Sequence, residues 1–295
     1  MEYYYHQGQE GYHNPPVRPE RAGSRGVRER RRKRRAGRRS RRRIFLVLFL
    51  FILLGTIGNH VFGGIFSKAI AHSSLGSFLN KKENTLTGKG IPESLVKLAK
   101  NNPEAFSFVE SYPENHAKDF VIDLSHDLAG GKRIPLFIQW DERWGYREYG
   151  GDYFALNGCG PTCLSMVYCG LTGDTEWNPY RVAKLAEERG YYVEGEGTSW
   201  ELMRGGAEEI GLKESEMVFE RSHILQTLTE GKPIICAMRK GDFTSAGHFI
   251  VLTGVSEDGR IFVNDPNSRK RSEKLWELDR LMEQMKNLWC YEVRE

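Results

Sequence analysis

The chain has 295 residues, a formal net charge of +4, 39% hydrophobic and 12% aromatic residues. These are the values of a globular protein, and the length allows one or two domains. The average hides two opposite parts: residues 1–43 hold 15 Lys/Arg against 4 Asp/Glu, a net of +11, while the remainder is acidic at −7. With almost no aliphatic side chains, the first 43 residues are excluded from any core.

Residues 1–27 are rich in Tyr, Gly and Pro and predict disorder, because they lack the apolar surface needed to offset chain entropy. The run from Arg28 to Arg43 has the composition of a phosphate-binding tract. It stops, however, against the apolar block Ile44–Leu54, which no soluble loop would display. A membrane explains both, so no nucleic acid is expected. Continuing the block to Phe66 supplies the roughly 20 residues of a spanning helix, and 44–66 is the predicted transmembrane segment. A signal peptide shares these hallmarks, but the long N-terminal region favours a retained single-pass anchor. Flanking Lys/Arg remain cytoplasmic, which puts the N-terminus inside the cell and the C-terminal domain outside.

Residues 67–130 read as a spacer followed by two short helices, Ile91–Asn101 and Pro103–Tyr112, with Pro92 and Pro103 suited to first turns. From 131 to 295 short apolar runs alternate with helices. Ile134–Trp140 predicts a strand leading into an aromatic loop, and Thr162–Tyr168, Pro179–Arg189 and Trp200–Ile210 predict helices. Pro233–Met238, His248–Val255 and Arg260–Asp265 predict strands, with Glu257-Asp258-Gly259 as a turn. A helix over Leu275–Met285 and a closing strand over Leu288–Val293 complete the pattern. Helices first and antiparallel strands afterwards define an α+β fold. Trp140, Trp144, Tyr146, Tyr149 and Tyr153 either line a cleft or pack beneath the loop that carries them, the commoner role for such residues.

Asn157-Gly158-Cys159-Gly160-Pro161-Thr162 places a cysteine between two glycines where a helix begins. The partial positive charge of a helix N-terminus favours thiolate over thiol, and the glycines let a substrate backbone approach. Such a nucleophile needs a base and a group to hold that base. Of the eight histidines, only His248 opens an apolar strand in the globular part. If residues 256–259 form the hairpin loop, Asp265 faces position 250, the diagonal neighbour of His248 on the same face. A tight turn at Asp258-Gly259 keeps the face but moves Asp265 opposite position 252, too far without a bulge. Each residue alone also has a structural reading: a buried cysteine in a turn, a satisfied histidine at a strand end, an aspartate forming a turn before proline. Cys163, Cys169, Cys236 and Cys290 suit disulfides or buried free thiols equally. No Cys/His pair has zinc-site spacing, so no metal is expected.

Gln139-Trp140-Asp141-Glu142-Arg143-Trp144-Gly145, Gly158-Cys159-Gly160-Pro161-Thr162, Gly247-His248-Phe249 and Asn264-Asp265-Pro266, in that order, resemble the bacteriocin-processing, double-glycine cysteine peptidase family, in particular its stand-alone branch without the transporter. The resemblance covers about residues 131–295. It implies a papain-like fold, in which a helix bearing the nucleophile packs on an antiparallel sheet. It also implies Cys159 as nucleophile, His248 as base, Asp265 as the residue orienting the imidazole, and Gln139 as an amide donor to the oxyanion hole beside the Cys159 backbone N–H. The expected activity is hydrolysis of a peptide or amide bond in a peptide or protein substrate through an acyl-enzyme, with no cofactor. Double-glycine specificity is not carried over, because that processing is cytoplasmic and fused to an exporter. A peptidoglycan-directed peptidase or amidase would use the same triad, and an inactive papain-like domain would bind peptides without cutting them.

Overall fold

The computed structural model describes residues 86, 89–131 and 133–295. The basic tract of 1–43 and the predicted span of 44–66 lie outside these residues. Among the described residues no helix is long and apolar enough to cross a membrane.

A helical preface comes first. Helix α1 (Glu93–Asn101) follows Pro92, and its buried Leu95, Leu98 and Ala99 form one stripe at helical spacing. The Asn102 side chain accepts from the Glu104 backbone N–H and so starts a 3-10 turn at Pro103. Helix α2 (Phe106–Glu110) buries Phe108 and Val109. These side chains share a core with Ile138, Trp140, Tyr146 and Ala155 of the following domain. The Phe108 and Tyr146 rings stack at 4.2 Å.

The domain proper is built on helix α3 (Cys159–Thr172), buried along most of its length and capped by Gly173 in the left-handed conformation at φ 72°. Helix α4 (Pro179–Glu188) lies after it, with Asn178 capping the Arg181 N–H. Helix α5 (Arg221–Thr229) precedes the main strands. Six strands form one sheet: β1 (Leu212–Glu216), β2 (Ile234–Met238), β3 (His248–Val255), β4 (Ile261–Asn264), β5 (Leu275–Trp276) and β6 (Met285–Val293). They are ordered β1-β6-β2-β3-β4-β5, and every neighbouring pair is antiparallel.

Side chains alternate across that sheet. Ile235, Ala237, Phe249, Val251, Trp289 and Tyr291 pack with Leu164 and Val167 of α3. Ile234, Cys236, Ile250, Leu252 and Val263 pack on the other face with Ile224 and Leu228 of α5. With both faces covered, β2 and the first five residues of β3 read as unbroken buried runs rather than alternating ones.

Three expectations need correction. Ile134–Trp140 belongs to no strand and ends in a turn at Gln139–Trp140: Pro135 has no N–H, the Asn264 side chain donates to the Ile134 and Pro135 carbonyls, and the Gln139 N–H goes to the Pro266 carbonyl. Its polar groups are met by a loop and a side chain, not by a ladder. The helix expected over Leu275–Met285 is instead edge strand β5, which pairs with Ile261 and Phe262, followed by a short helix at Leu278–Met282. The helix expected over Trp200–Ile210 is broken at Arg204, whose ψ of −92° separates a 3-10 turn from Gly205–Glu209.

Candidate active site

Cys159 is the first residue of α3. Gly158 precedes it as the N-cap without a capping side chain, and Thr162 returns both its backbone N–H and its hydroxyl to the Gly158 carbonyl. The glycines have a reason beyond substrate approach. A Cβ on Gly158 would lie 2.3 Å from a Phe154 ring carbon, and one on Gly160 would lie 2.8 Å from the Thr198 methyl. Thr198 is itself fixed by the Tyr149 hydroxyl at 2.9 Å. The helix start is therefore packed against its own fold too closely for any larger side chain.

His248 opens β3 opposite Met238 of β2. The β3–β4 hairpin pairs Val255 with Ile261 and Gly254 with Phe262, then shifts register and pairs Leu252 with Val263 and Val251 with Asn264. The shift at Thr253 is decisive. Without the bulge, the first register would carry Asp265 opposite Val251, on the face away from His248. With it, Asp265 falls opposite Ile250 and reaches the histidine diagonally. The contact is made: His248 Nε2 and Asp265 Oδ1 are 2.8 Å apart, and both residues are buried. The Cys159 side chain is near enough to the same ring to raise its affinity for a proton. Nε2 faces Asp265, which leaves Nδ1 for the sulfur.

Asp265 has further partners. The Asn267 N–H donates to Oδ1 at 2.8 Å, the Arg271 guanidinium pairs with Oδ2, and Ser272 Oγ bonds the Asp265 N–H at 2.8 Å. Burial opposes ionisation of this carboxyl, but His248 and Arg271 outweigh it and hold it below the usual carboxylate range. Burial likewise opposes charge on His248, yet Asp265 and Cys159 carry its pKa up to about 10. The folded state therefore grips the imidazole proton more tightly than the unfolded chain, whose histidines titrate near about 6.5. The contribution of this pair to stability is complete below about pH 6.5 and is lost as pH rises through about 10. On the acid side, the contribution of Asp265 is present above the ordinary carboxylate range and lost as pH falls through its depressed value. Thermal unfolding from pH 6 to pH 10 is thus expected to show wild type losing more stability than His248→Gln. Parallel profiles would contradict the coupling.

Gln139 is buried with its backbone N–H on the Pro266 carbonyl, one residue past Asp265. Its Nε2 donates to the Ala155 carbonyl at 2.7 Å, and its Oε1 is buried without a partner among the described residues. The same nitrogen also lies 3.5 Å from the Leu156 carbonyl, a much longer contact. Trp140, Trp144, Tyr146 and Tyr149 are buried and join the core, so these aromatic residues pack beneath the loop.

All five cysteines are free thiols. Burial pushes the Cys163, Cys236 and Cys290 thiols up and carries Cys169 to about 12. Among the described residues no group of His, Cys, Asp and Glu is disposed to hold a metal ion. Sequence reasoning missed Arg271 and Ser272, because one arginine in Arg269-Lys270-Arg271 has nothing in its spacing to mark it as the partner of a buried carboxylate.

The site thus has a cysteine at a helix N-terminus, near a histidine that is hydrogen-bonded to a buried aspartate, on an α+β scaffold. Residues 132–294 match the Peptidase_C39-like family. The match spans more than half of the chain, and the chain belongs to that family of papain-like peptidases. Among solved structures, the chain is similar to the peptidase domain of Streptococcus ComA, described as a bi-functional ABC transporter involved in a quorum-sensing pathway. The identity is 18% and the TM-score 0.36, over 47% of this chain and 93% of that one. No curated protein matches the chain.

Proposed function

We propose that this chain is an active cysteine peptidase that hydrolyses a peptide or amide bond through an acyl-enzyme on Cys159. The observation that carries the reading is the His248 ring held at 2.8 Å by the buried Asp265 with Cys159 close to the same ring. With the thiol proton already resting on His248, which Asp265 holds protonated, the Cys159 sulfur attacks the substrate carbonyl carbon. The oxygen of the tetrahedral intermediate receives the Cys159 backbone N–H and an amide hydrogen of Gln139, released from its long 3.5 Å contact with the Leu156 carbonyl; a donor of this kind is worth about 3–4 kcal/mol. The imidazolium then gives its proton to the departing amine, leaving a thioester. Water, deprotonated by His248, attacks the thioester and releases the acid. Asp265 keeps the ring in one orientation throughout.

The basic tract and the apolar block of 44–66 support a single-pass anchor with the peptidase domain outside the cell. Release of the full-length chain from membranes by alkaline carbonate would remove that part of the reading. The enzymatic part is tested by incubating the full-length chain with a fluorogenic peptide library beside its Cys159→Ala and His248→Ala variants. Cleavage by wild type alone supports the proposal. Peptide binding without cleavage by all three would make the domain a peptide-binding module.

A further inference from the structure

The loop that follows β4 carries Asp265 and also supplies most of the groups that aim it. Asn267 donates its N–H to Asp265 Oδ1 at 2.8 Å, and the Ser268 N–H returns to the Asp265 carbonyl at 3.1 Å. Ser268 Oγ caps helix α6 (Arg269–Glu273) by accepting from the Arg271 N–H. Arg271 in turn holds the second Asp265 oxygen. Wherever residues 267–271 sit, the carboxylate of Asp265 follows.

The preface grips this same loop. Asn102 Nδ2 donates to the Asn267 carbonyl at 2.6 Å and to Asn267 Oδ1 at 2.9 Å. Glu104 accepts from the Ser268 hydroxyl and, at 3.1 Å, from the Lys270 N–H. Ser268 is only 1% exposed, so loss of Glu104 would strand its hydroxyl away from water, which a fold does not tolerate cheaply. Asn102 and Glu104 are also locked to each other, because Asn102 Oδ1 accepts the Glu104 N–H at 3.1 Å. Both lie outside residues 132–294, the span of the family match.

We propose that Asn102 and Glu104 are positioning residues for the active site: they clasp residues 267–270 and thereby hold Asp265 against the His248 ring. The helical preface is then a working part of the peptidase and not a spacer. The proposal rests on the catalytic reading above for its consequence, but its geometry stands without it. The titratable groups facing the His248 ring are Cys159 on α3 and Asp265 after β4, with Arg271 behind Asp265. β2 presents Met238, which does not titrate.

Asn102→Asp is the sharpest variant. It keeps the oxygen that caps Glu104 but sets a carboxylate oxygen against two acceptors of Asn267. Glu104→Gln, which removes the charge and one acceptor, is the milder second variant. In each full-length protein the His248 ring is titrated by NMR and the alkylation of Cys159 by iodoacetamide is followed against pH, with thermal unfolding as the check on folding. The expected result is a lower His248 pKa in both variants, more so in Asn102→Asp, and Cys159 alkylation at neutral pH slowed by roughly ten- to a hundredfold. His248 titrating as in wild type in folded Asn102→Asp would overturn the proposal. Should that variant not fold, the same result in Glu104→Gln would overturn it. If wild-type Cys159 reacts no faster than an ordinary thiol while the His248 titration still moves, the catalytic reading fails and the clasp stands.

Discussion

Replacing Cys159 with alanine is expected to lower peptide hydrolysis by roughly 10⁵- to 10⁶-fold, the scale seen when the nucleophile of a cooperating group is removed. The remaining cysteines cannot take its place. Cys163, Cys169 and Cys236 are buried, and burial keeps all four other thiols protonated well above neutral pH. What survives is binding and any hydrogen bonding to the developing oxyanion, which does little without an attacking atom. The Cys159 side chain is only half-buried at a helix start, so the variant should unfold at nearly the wild-type temperature. Initial rates on a cleaved fluorogenic peptide, read beside that unfolding curve, check the prediction. Retention of more than a few per cent of wild-type turnover would mean that the nucleophile lies elsewhere.

The second large effect concerns Asp265, and it divides between stability and activity. Its carboxylate is fully buried and faces two cationic partners, His248 at 2.8 Å and Arg271. Asp265→Ala leaves both without their counter-charge, and His248 is in a desolvated place while Arg271 keeps partial access to water. Breaking one side of a buried ion pair in this way typically costs about 3–5 kcal/mol. Asp265→Asn keeps the volume and can still accept from Asn267, so it should cost less stability. It removes the charge that holds the proton on His248, and turnover is expected to fall by roughly a hundred- to ten-thousandfold. Denaturant unfolding separates the two variants, and the activity of Asp265→Asn, measured where it is folded, isolates the electrostatic part. Equal and small losses of stability in both would show that the carboxylate is solvated and contradict its burial.

Much of this site was legible in the sequence, for reasons that can be traced to particular residues. A cysteine flanked by glycines before Thr162 announces a helix start. His248 announces itself by opening the run Phe249–Leu252. The parity of the following hairpin allows His248 and Asp265 to share a face, but the bulge at Thr253 that makes the parity work has no signature in Leu252-Thr253-Gly254. Strand β1 was missed for a simple cause: it is an edge strand with only Leu212 buried, so it shows no apolar alternation. Ile134–Trp140 misled in the opposite direction, since an apolar stretch whose polar groups are met by Asn264 and Pro266 looks like a strand in sequence. The clasp of Asn102 and Glu104 on residues 267–270 joins positions more than 160 apart in the chain, and no local pattern encodes such a contact.

The central claim is that Cys159 and His248 act as a pair, and the rate at which each cysteine reacts with iodoacetamide tests it most directly. The full-length chain is labelled across pH and each thiol is read by mass spectrometry, with His248→Ala alongside. The account predicts that Cys159 alone is labelled rapidly at neutral pH and that its rate drops when His248 is removed. Labelling of Cys159 no faster than that of an ordinary thiol, or unchanged by His248→Ala, would contradict it.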